Sequence, residues 1–169
     1  MPPEDSTCEE RSFKKLYEAH SEALRNFVYY KLGDLEYAED AVQESFLILW
    51  KNCAKVPFEK AKSYLFTVVN NMLLDTVKHQ KVVLKYFHQK QVQHVAESPE
   101  FILEEQEFRQ KLERVLNELP EDQRVVFLMN RVEKMKYREI AELLGISQKT
   151  VEKRMHKALL IIKEKIGNI

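Results

Sequence analysis

Residues 137–159, YREIAELLGISQKTVEKRMHKAL, decide how this chain is interpreted. Apolar residues recur at helical spacing up to Gly145, which tolerates the positive φ of a tight turn. Ala141 is small enough for a second helix to cross closely, and that helix begins at Ser147. The pattern predicts a helix-turn-helix, a motif whose second helix lies in the major groove of DNA.

The N-terminal half of this second helix carries groups that suit DNA. Gln can pair bidentately with adenine and Arg or Lys with guanine, while a helix N-terminus and lysines suit phosphates. A helical hairpin with a glycine turn and a solvated basic face would explain any one of these features, but their common register favours DNA. The residues expected at DNA are Ser147, Gln148, Lys149, Thr150, Lys153, Arg154 and Lys157.

The remainder of the chain predicts an all-α fold. Its 169 residues include only three glycines and five prolines, and helical periodicity runs through the long stretches between them. We expect residues 1–11 to be disordered and residues 12–87 and 107–169 to form two small helical domains. Residues 88–106 are expected to form a polar, acidic linker between them. Gly33 should end the first helix and Asp34 cap the second.

Several classes of protein are disfavoured by the composition. Cys8 and Cys53 are far apart and form no CxxC, which indicates free thiols in a reducing compartment. No signal peptide or membrane span is visible, so we expect a cytoplasmic protein that does not insert into the membrane. The five histidines show no metal-ligand spacing, and no hydrolase or nucleotide-binding motif occurs. We therefore expect no catalytic residue, metal, cofactor or small-molecule substrate.

A family resemblance rests on both halves. The second half resembles region four of the bacterial sigma factors at Leu119-Pro120, Arg124, Phe127-Leu128, Tyr137–Ala141, Gly145–Ser147, Thr150-Val151, Arg154 and Lys157–Leu159. The first half resembles the two helices of region two, the first at Glu39–Phe46 with Trp50 and the second at Tyr64-Leu65, Val68–Asn71, Asp75 and Lys78. Because only these two regions are visible, the chain is similar to the extracytoplasmic-function (ECF) group. Tyr64, Lys78 and Lys134 stand where the family usually or often has tryptophan, arginine and glycine.

The resemblance implies an alternative sigma factor that brings core RNA polymerase to promoters, with the helix-turn-helix at the minus-thirty-five element. It implies that polymerase binds Asp40, Gln43, Glu44, Leu47 and Trp50. It implies that the minus-ten element meets Lys62, Thr67, Asn70, Asn71 and Lys78, while the loop 52–61 captures a flipped base. An anti-sigma protein is a further expected partner.

Some alternatives stay open at this point. Trp50 and Phe46 fit the core and the polymerase interface equally well; Tyr64 and Phe66 could stack on bases, although Tyr64 fits the core better. The C-terminal third also resembles the helix-turn-helix of quorum-sensing and response-regulator activators. Such regulators pair on palindromes, so the oligomeric state would distinguish them from a sigma factor. The relative orientation of the two domains is not determined by the sequence.

Overall fold

The computed structural model describes residues 6–74 and 99–167, and both ranges are helical. The first range contains α1 (Glu10–Leu32), α2 (Leu35–Lys51) and α3 (Ala61–Leu73), with two 3-10 turns at Cys53–Lys55 and Phe58–Lys60. The second contains α4 (Pro99–Glu118), α5 (Glu121–Arg131), α6 (Tyr137–Leu144) and α7 (Gln148–Ile166). No strand occurs within these two ranges, and the predicted all-α class is confirmed.

The junction between α1 and α2 follows from two residues. Gly33 adopts φ 71°, and its N–H donates to the Tyr29 carbonyl, which closes the last turn of α1. The Asp34 carboxylate accepts the Tyr37 N–H at 3.0 Å and so caps the first turn of α2. Both predictions from the sequence are confirmed, and the tight junction makes α1 and α2 neighbours in space.

The core of the first half lies among α1, α2 and α3, which all pack on one another. Its fully buried side chains include Leu24, Phe27, Leu49, Leu65 and Phe66. Each such side chain contributes about 1.5–3 kcal/mol by leaving water. The buried stripes fix which face of each helix remains outside.

The N-terminal segment differs from its prediction. The Glu9 N–H donates to the Ser6 carbonyl at 3.0 Å, and the buried Thr7 hydroxyl donates to the Val56 carbonyl at 2.7 Å. Residues 6–9 therefore form an ordered turn and α1 already begins at Glu10, so the prediction of disorder is wrong for residues 6–11. Residues 1–5 lie outside the described residues.

The C-terminal part of the predicted linker is helical. Helix α4 begins at Pro99, so residues 99–106 are helical, while residues 88–98 lie outside the described residues. The periodicity of the acidic residues 100–107 was too weak to predict this extension. The sequence also predicts a third helix over about 62–80, of which residues 75–80 lie outside the described residues.

The expectation of free thiols is wrong in this structure. Cys8 and Cys53 form a disulfide with their Cα atoms 5.1 Å apart. The separation of 45 residues concealed this pairing, because only the fold-back of residues 6–9 onto the loop after α2 brings the two sulfur atoms together. The bond attaches the N-terminal segment to that loop.

The second half is organised around α7, which packs against α4, α5 and α6. Its inward face consists of Val151, Met155, Ala158 and Ile162, all buried. The halves also meet, because α1 packs against α5 and α3 packs against α6. Among the described residues, no helix is both long and apolar enough to span a bilayer.

Candidate nucleic-acid interface

The helix-turn-helix has the geometry that its sequence predicted. Gly145 adopts φ 68°, and nothing would approach an added Cβ there within 4 Å, so backbone conformation rather than space selects glycine. The Ile146 N–H donates to the Ala141 carbonyl at 3.1 Å, and the Glu139 carboxylate accepts the Lys136 N–H at the start of α6. These local bonds fix the angle at which α7 leaves the turn.

Two of the residues predicted at DNA cap the recognition helix. The Ser147 hydroxyl oxygen accepts the Thr150 N–H at 3.1 Å, and the two hydroxyl oxygens lie 2.8 Å apart. Such a cap stabilises a helix by about 1 kcal/mol. Ser147 is exposed and Thr150 is half-buried. Both side chains already serve the helix cap within the chain.

The exposed face of α7 carries a row of lysines, Lys149, Lys153 and Lys157, one helical turn apart. Beside the row, Gln148 Nε2 donates to the exposed Glu152 carboxylate at 3.4 Å. Arg154 differs from these lysines. It is half-buried, and its Nε lies 3.5 Å from the Asp122 carboxylate at the start of α5. The row therefore presents three exposed ammonium groups to a ligand, whereas the Arg154 guanidinium pairs with a carboxylate of the chain.

Helix α3 presents a second polar face. Thr67 and Asn71 are exposed, while Lys62 and Asn70 are half-buried. The Asn70 Oδ1 accepts a hydrogen bond from Lys31 Nζ at 3.1 Å. Lys78, the fifth residue predicted here, lies outside the described residues.

His20 on α1 faces Lys62. Burial, and secondarily the positive charge of Lys62, lower the pKa of His20 below its ordinary value of 6.5. The imidazole is therefore neutral at neutral pH, which leaves Lys62 as the cation at this end of α3.

The two aromatic residues of α3, Tyr64 and Phe66, were considered for base stacking and for the core. Phe66 is fully buried with its ring centroid 5.5 Å from that of Phe27, so the hypothesis that Phe66 stacks on a base is wrong. Tyr64 is half-buried and packs against the core, the role that the sequence favoured for it.

The loop between α2 and α3 has two supports that the sequence did not indicate. The Thr7 hydroxyl donates a hydrogen bond to the Val56 carbonyl, and Cys8 forms a disulfide with Cys53. The only signal for these roles was the presence of two cysteines, and their spacing gave no reason to pair them.

A third surface lies on α2, and we call its five residues the α2 face. All five are exposed, Leu47 by 61% and Trp50 by 45%, while the residues on the opposite side of the helix are buried. The α2 face consists of Asp40, Gln43, Glu44, Leu47 and Trp50.

The two aromatic residues of α2 left open by the sequence are now distinguished. Phe46 belongs to the core and meets the ring of Tyr17 at 5.0 Å between centroids. Trp50 is 45% exposed, and its ring makes an edge-to-face contact with that of Phe13, with the centroids 5.1 Å apart. Within the residues that the structure describes, no three His, Cys, Asp or Glu side chains are placed to hold a metal ion.

Comparison with known proteins identifies both halves. Residues 16–82 match the family model of sigma-70 region 2, and residues 109–162 match that of sigma-70 region 4. These two matched ranges contain α2, α3 and the helix-turn-helix. The region 2 match assigns a role to the part of the chain that a helix-turn-helix activator would leave unexplained.

Characterised relatives match over almost their whole length. The ferric citrate uptake sigma factor FecI of Escherichia coli is 26% identical over 161 residues, which are 94% of this chain and 93% of FecI. The ECF RNA polymerase sigma factor SigW of Bacillus subtilis is 22% identical over 171 residues, covering 94% of this chain and 90% of SigW.

Solved structures share the fold. CnrH in complex with the cytosolic domain of CnrY gives a TM-score of 0.63 at 20% identity, over 95% of this chain and 90% of CnrH. The sigma factor RpoE in complex with the anti-sigma factor NepR from Bartonella quintana gives 0.61 at 20% identity, over 91% and 96%.

Proposed function

The chain belongs to the sigma-70 family, of which it carries regions 2 and 4, and we propose that it directs core RNA polymerase to specific promoters as an alternative sigma factor of the ECF type. The observation that carries the proposal is the α2 face. Its acidic, amide and large apolar side chains all project from one side of a helix whose other side is core. This combination suits a protein interface with an aromatic anchor and charged rim.

The minus-thirty-five element is assigned to α7. Lys149, Lys153 and Lys157 supply the phosphate-binding charge, and Gln148 is the side chain placed to read a base edge. Arg154 would reach DNA only by leaving Asp122, so we assign it a secondary contact. Ser147 and Thr150 position the helix N-terminus against the backbone.

The minus-ten element is assigned to α3 and the preceding loop. Thr67, Asn70, Asn71 and Lys62 supply polar groups from the first turn of the helix to its last, and Lys78 is proposed from the sequence alone. Opening a base step costs a few kcal/mol. Polymerase binding and capture of the unpaired strand must offset that cost, because the chain contains no nucleotide-hydrolysis motif.

The same assignment defines the domains and partners. Residues 12–87 act as region two and residues 107–169 as region four, with residues 88–106 between them. The chain itself is not an enzyme, since catalysis belongs to the polymerase. We propose a cytoplasmic location, where core RNA polymerase and promoter DNA are found. An anti-sigma protein is the proposed inhibitor, because CnrH and RpoE were each solved with a bound protein partner.

A reconstituted transcription assay tests the proposal. The purified chain is mixed with core polymerase lacking sigma and with promoters of the source genome, and specific starts are mapped. Replacing Gln43 and Glu44 with Ala should abolish specific starts while the helical circular dichroism is unchanged. Glu18→Ala, an exposed carboxylate on α1, is the matched control and should keep the activity.

A different outcome would contradict the proposal. A chain that fails to bind polymerase, and that instead footprints a palindrome as a dimer, is a helix-turn-helix regulator of the activator or repressor type.

A further inference from the structure

The disulfide joins two segments with different roles in the proposed function. Cys53 lies in the loop between α2 and α3, which we assign to capture of the unpaired strand, and Cys8 lies in the turn that precedes α1. Both cysteines are half-buried. A small thiol can therefore approach the bond, as it could not approach a pair sealed in the core.

The N-terminal segment holds this loop from its inner side. Val56 is buried and its carbonyl accepts the Thr7 hydroxyl at 2.7 Å, while Cys53 carries the disulfide. Lys55 and Lys60 of the same loop are exposed. The two attachments therefore fix the loop and leave its cations accessible to a nucleic-acid strand.

Contacts other than the disulfide bring the two cysteines together. The Cys8 N–H donates to the Ser6 hydroxyl at 3.3 Å, which shapes the turn before α1. Phe13, on the first turns of α1, packs on the ring of Trp50 near the end of α2. Because these contacts and the bond from Thr7 do not depend on the sulfur atoms, the reduced chain keeps its thiols close together, and closure of the bond is intramolecular.

We propose that Cys8 and Cys53 form a redox-modification site, a dithiol–disulfide couple whose oxidised state captures the unpaired minus-ten strand more tightly than its reduced state. This inference rests on the proposed function. In a reducing compartment, disulfides are usually transient and redox-sensing rather than structural. The oxidised loop is ordered before the strand arrives, whereas the reduced loop must lose backbone freedom when it binds the strand.

The oxidant is a low-molecular-weight disulfide of the glutathione class. The thiolate of one cysteine attacks a sulfur atom of this molecule, which forms a mixed disulfide and releases one small thiolate. The thiolate of the other cysteine then attacks the sulfur of the first, which forms the Sγ–Sγ bond and releases the second small thiolate. The two cysteine protons end on the released thiolates, and two electrons pass from the chain to the small disulfide. An excess of the small thiol reverses both steps.

Thiol titration of the free full-length chain is the first test, since it needs neither polymerase nor DNA. The chain is equilibrated in glutathione buffers of graded ratio, its thiols are trapped by alkylation, and the intact mass gives the oxidised fraction. We expect a reversible transition between the two states within the series. A chain that stays reduced, or stays oxidised, in every buffer would overturn the proposal.

Promoter opening by the reconstituted holoenzyme is the second test. The chain is kept at the reducing or the oxidising end of the buffer series, with the same core polymerase and a promoter recovered in the transcription assay. Permanganate reactivity of unpaired thymines measures opening. The oxidised chain should reach half-maximal opening at about tenfold lower concentration, the factor that ordering one loop residue represents.

The other outcomes of this test have distinct meanings. Equal opening by both states, or tighter opening by the reduced chain, would overturn the redox proposal. Opening by neither state would count against the proposed function and leave the thiol titration untouched.

The Cys8→Ser, Cys53→Ser variant is the matched control for redox effects on the polymerase itself. It should open the promoter as the reduced parent does in both buffers, and circular dichroism checks that its helices are intact. A variant that still responds to the buffer would place the redox effect outside this pair and overturn the proposal.

Thr7→Val separates the hydrogen bond from the sulfur chemistry. Loss of the hydroxyl loosens the segment from the loop, so half-oxidation should need a buffer more oxidising by about fivefold, the factor that one hydrogen bond represents. Thr67→Val is the control, because its hydroxyl donates within α3 to the Ser63 carbonyl, and it should leave this ratio unchanged. An unchanged ratio in Thr7→Val would overturn this account of the couple.

Discussion

The two halves of the chain hold their DNA-facing surfaces in different ways. In the second half, the turn and the N-terminus of the recognition helix are fixed by bonds within 136–150, from the Lys136–Glu139 cap through the Gly145 turn to the Ser147 cap, and only later positions such as Arg154 pair with an earlier helix. In the first half, the corresponding surface depends on distant partners. Thr7 binds the Val56 carbonyl 49 residues away, Cys8 is bonded to Cys53, and Lys31 contacts Asn70.

This difference predicts how each half responds to change. A locally built surface is sensitive to single turn residues, whereas a surface built from distant contacts is sensitive to cross-links and to neighbouring helices. Trp50 is the chain's only tryptophan, so its fluorescence follows the first half while circular dichroism follows both. The two signals allow the comparison to be tested.

Reduction of the disulfide should have the largest effect. A cross-link that closes a loop of 45 residues stabilises a fold by about 4 kcal/mol in the chain-entropy model. We expect reductant to lower the denaturant midpoint of the Trp50 transition. The Cys8→Ser, Cys53→Ser variant should match the reduced protein and ignore reductant, and a wild-type midpoint indifferent to reductant would show that the bond does not support this half.

The turn glycine should have the next largest effect. Gly145→Ala places a Cβ at φ 68° and should destabilise the second half by about 1–2 kcal/mol. Gly145→Asn is the control, since asparagine tolerates this conformation better. Circular dichroism should register the loss, and an alanine variant as stable as the parent would contradict the local account of this half.

Replacing Lys134 with glycine should raise the stability of the second half, whereas the Gly145 substitution lowers it. It adopts φ 57°, the one positive φ outside glycine among the described residues, where the family often has glycine. Lys134→Gly should therefore stabilise the second half by about 0.5–1 kcal/mol. Lys136→Gly, two residues on at an ordinary φ of −73°, is the control and should not stabilise. Chemical denaturation measures both.

Acidification should have the smallest effect, confined to the first half. Because the pKa of His20 is lowered on folding, the unfolded chain binds more protons below the ordinary pKa of 6.5. The stability that neutral His20 contributes is present above that value and is lost as the pH falls through it. The denaturant midpoint of the Trp50 transition should depend less on pH in His20→Gln than in the parent chain, between neutrality and mild acid. An equal dependence in both would show that a group other than His20 causes the loss of stability.

The same contrast explains what the sequence could predict. Helix-turn-helix boundaries, the Gly33 stop, the Asp34 cap and the α2 face all depend on residues within a few turns of one another, and the local pattern contains them. The disulfide, the Thr7–Val56 bond and the bonds from Arg124 to α1 join residues 45 or more positions apart. Helical periodicity carries no information about such pairs, which is why the sequence predicts neither the order of residues 6–11 nor the pairing of the two cysteines.

Arg124 illustrates this limit. The sequence places it in the region-four pattern but gives no partner, because its acceptors are backbone carbonyls of α1. Backbone acceptors carry no sequence signature, so only the fold reveals them.

Lys31 is shared between the two halves. Its ammonium group lies beside Asn70 on the proposed minus-ten surface and beside Glu121 at the start of α5. Because Lys31 and Asn70 both belong to the first half, a ligand that takes the Asn70 amide leaves the ammonium group to Glu121 alone. Ligand binding at Asn70 and the Lys31–Glu121 ion pair are therefore linked, and such linkage is reciprocal.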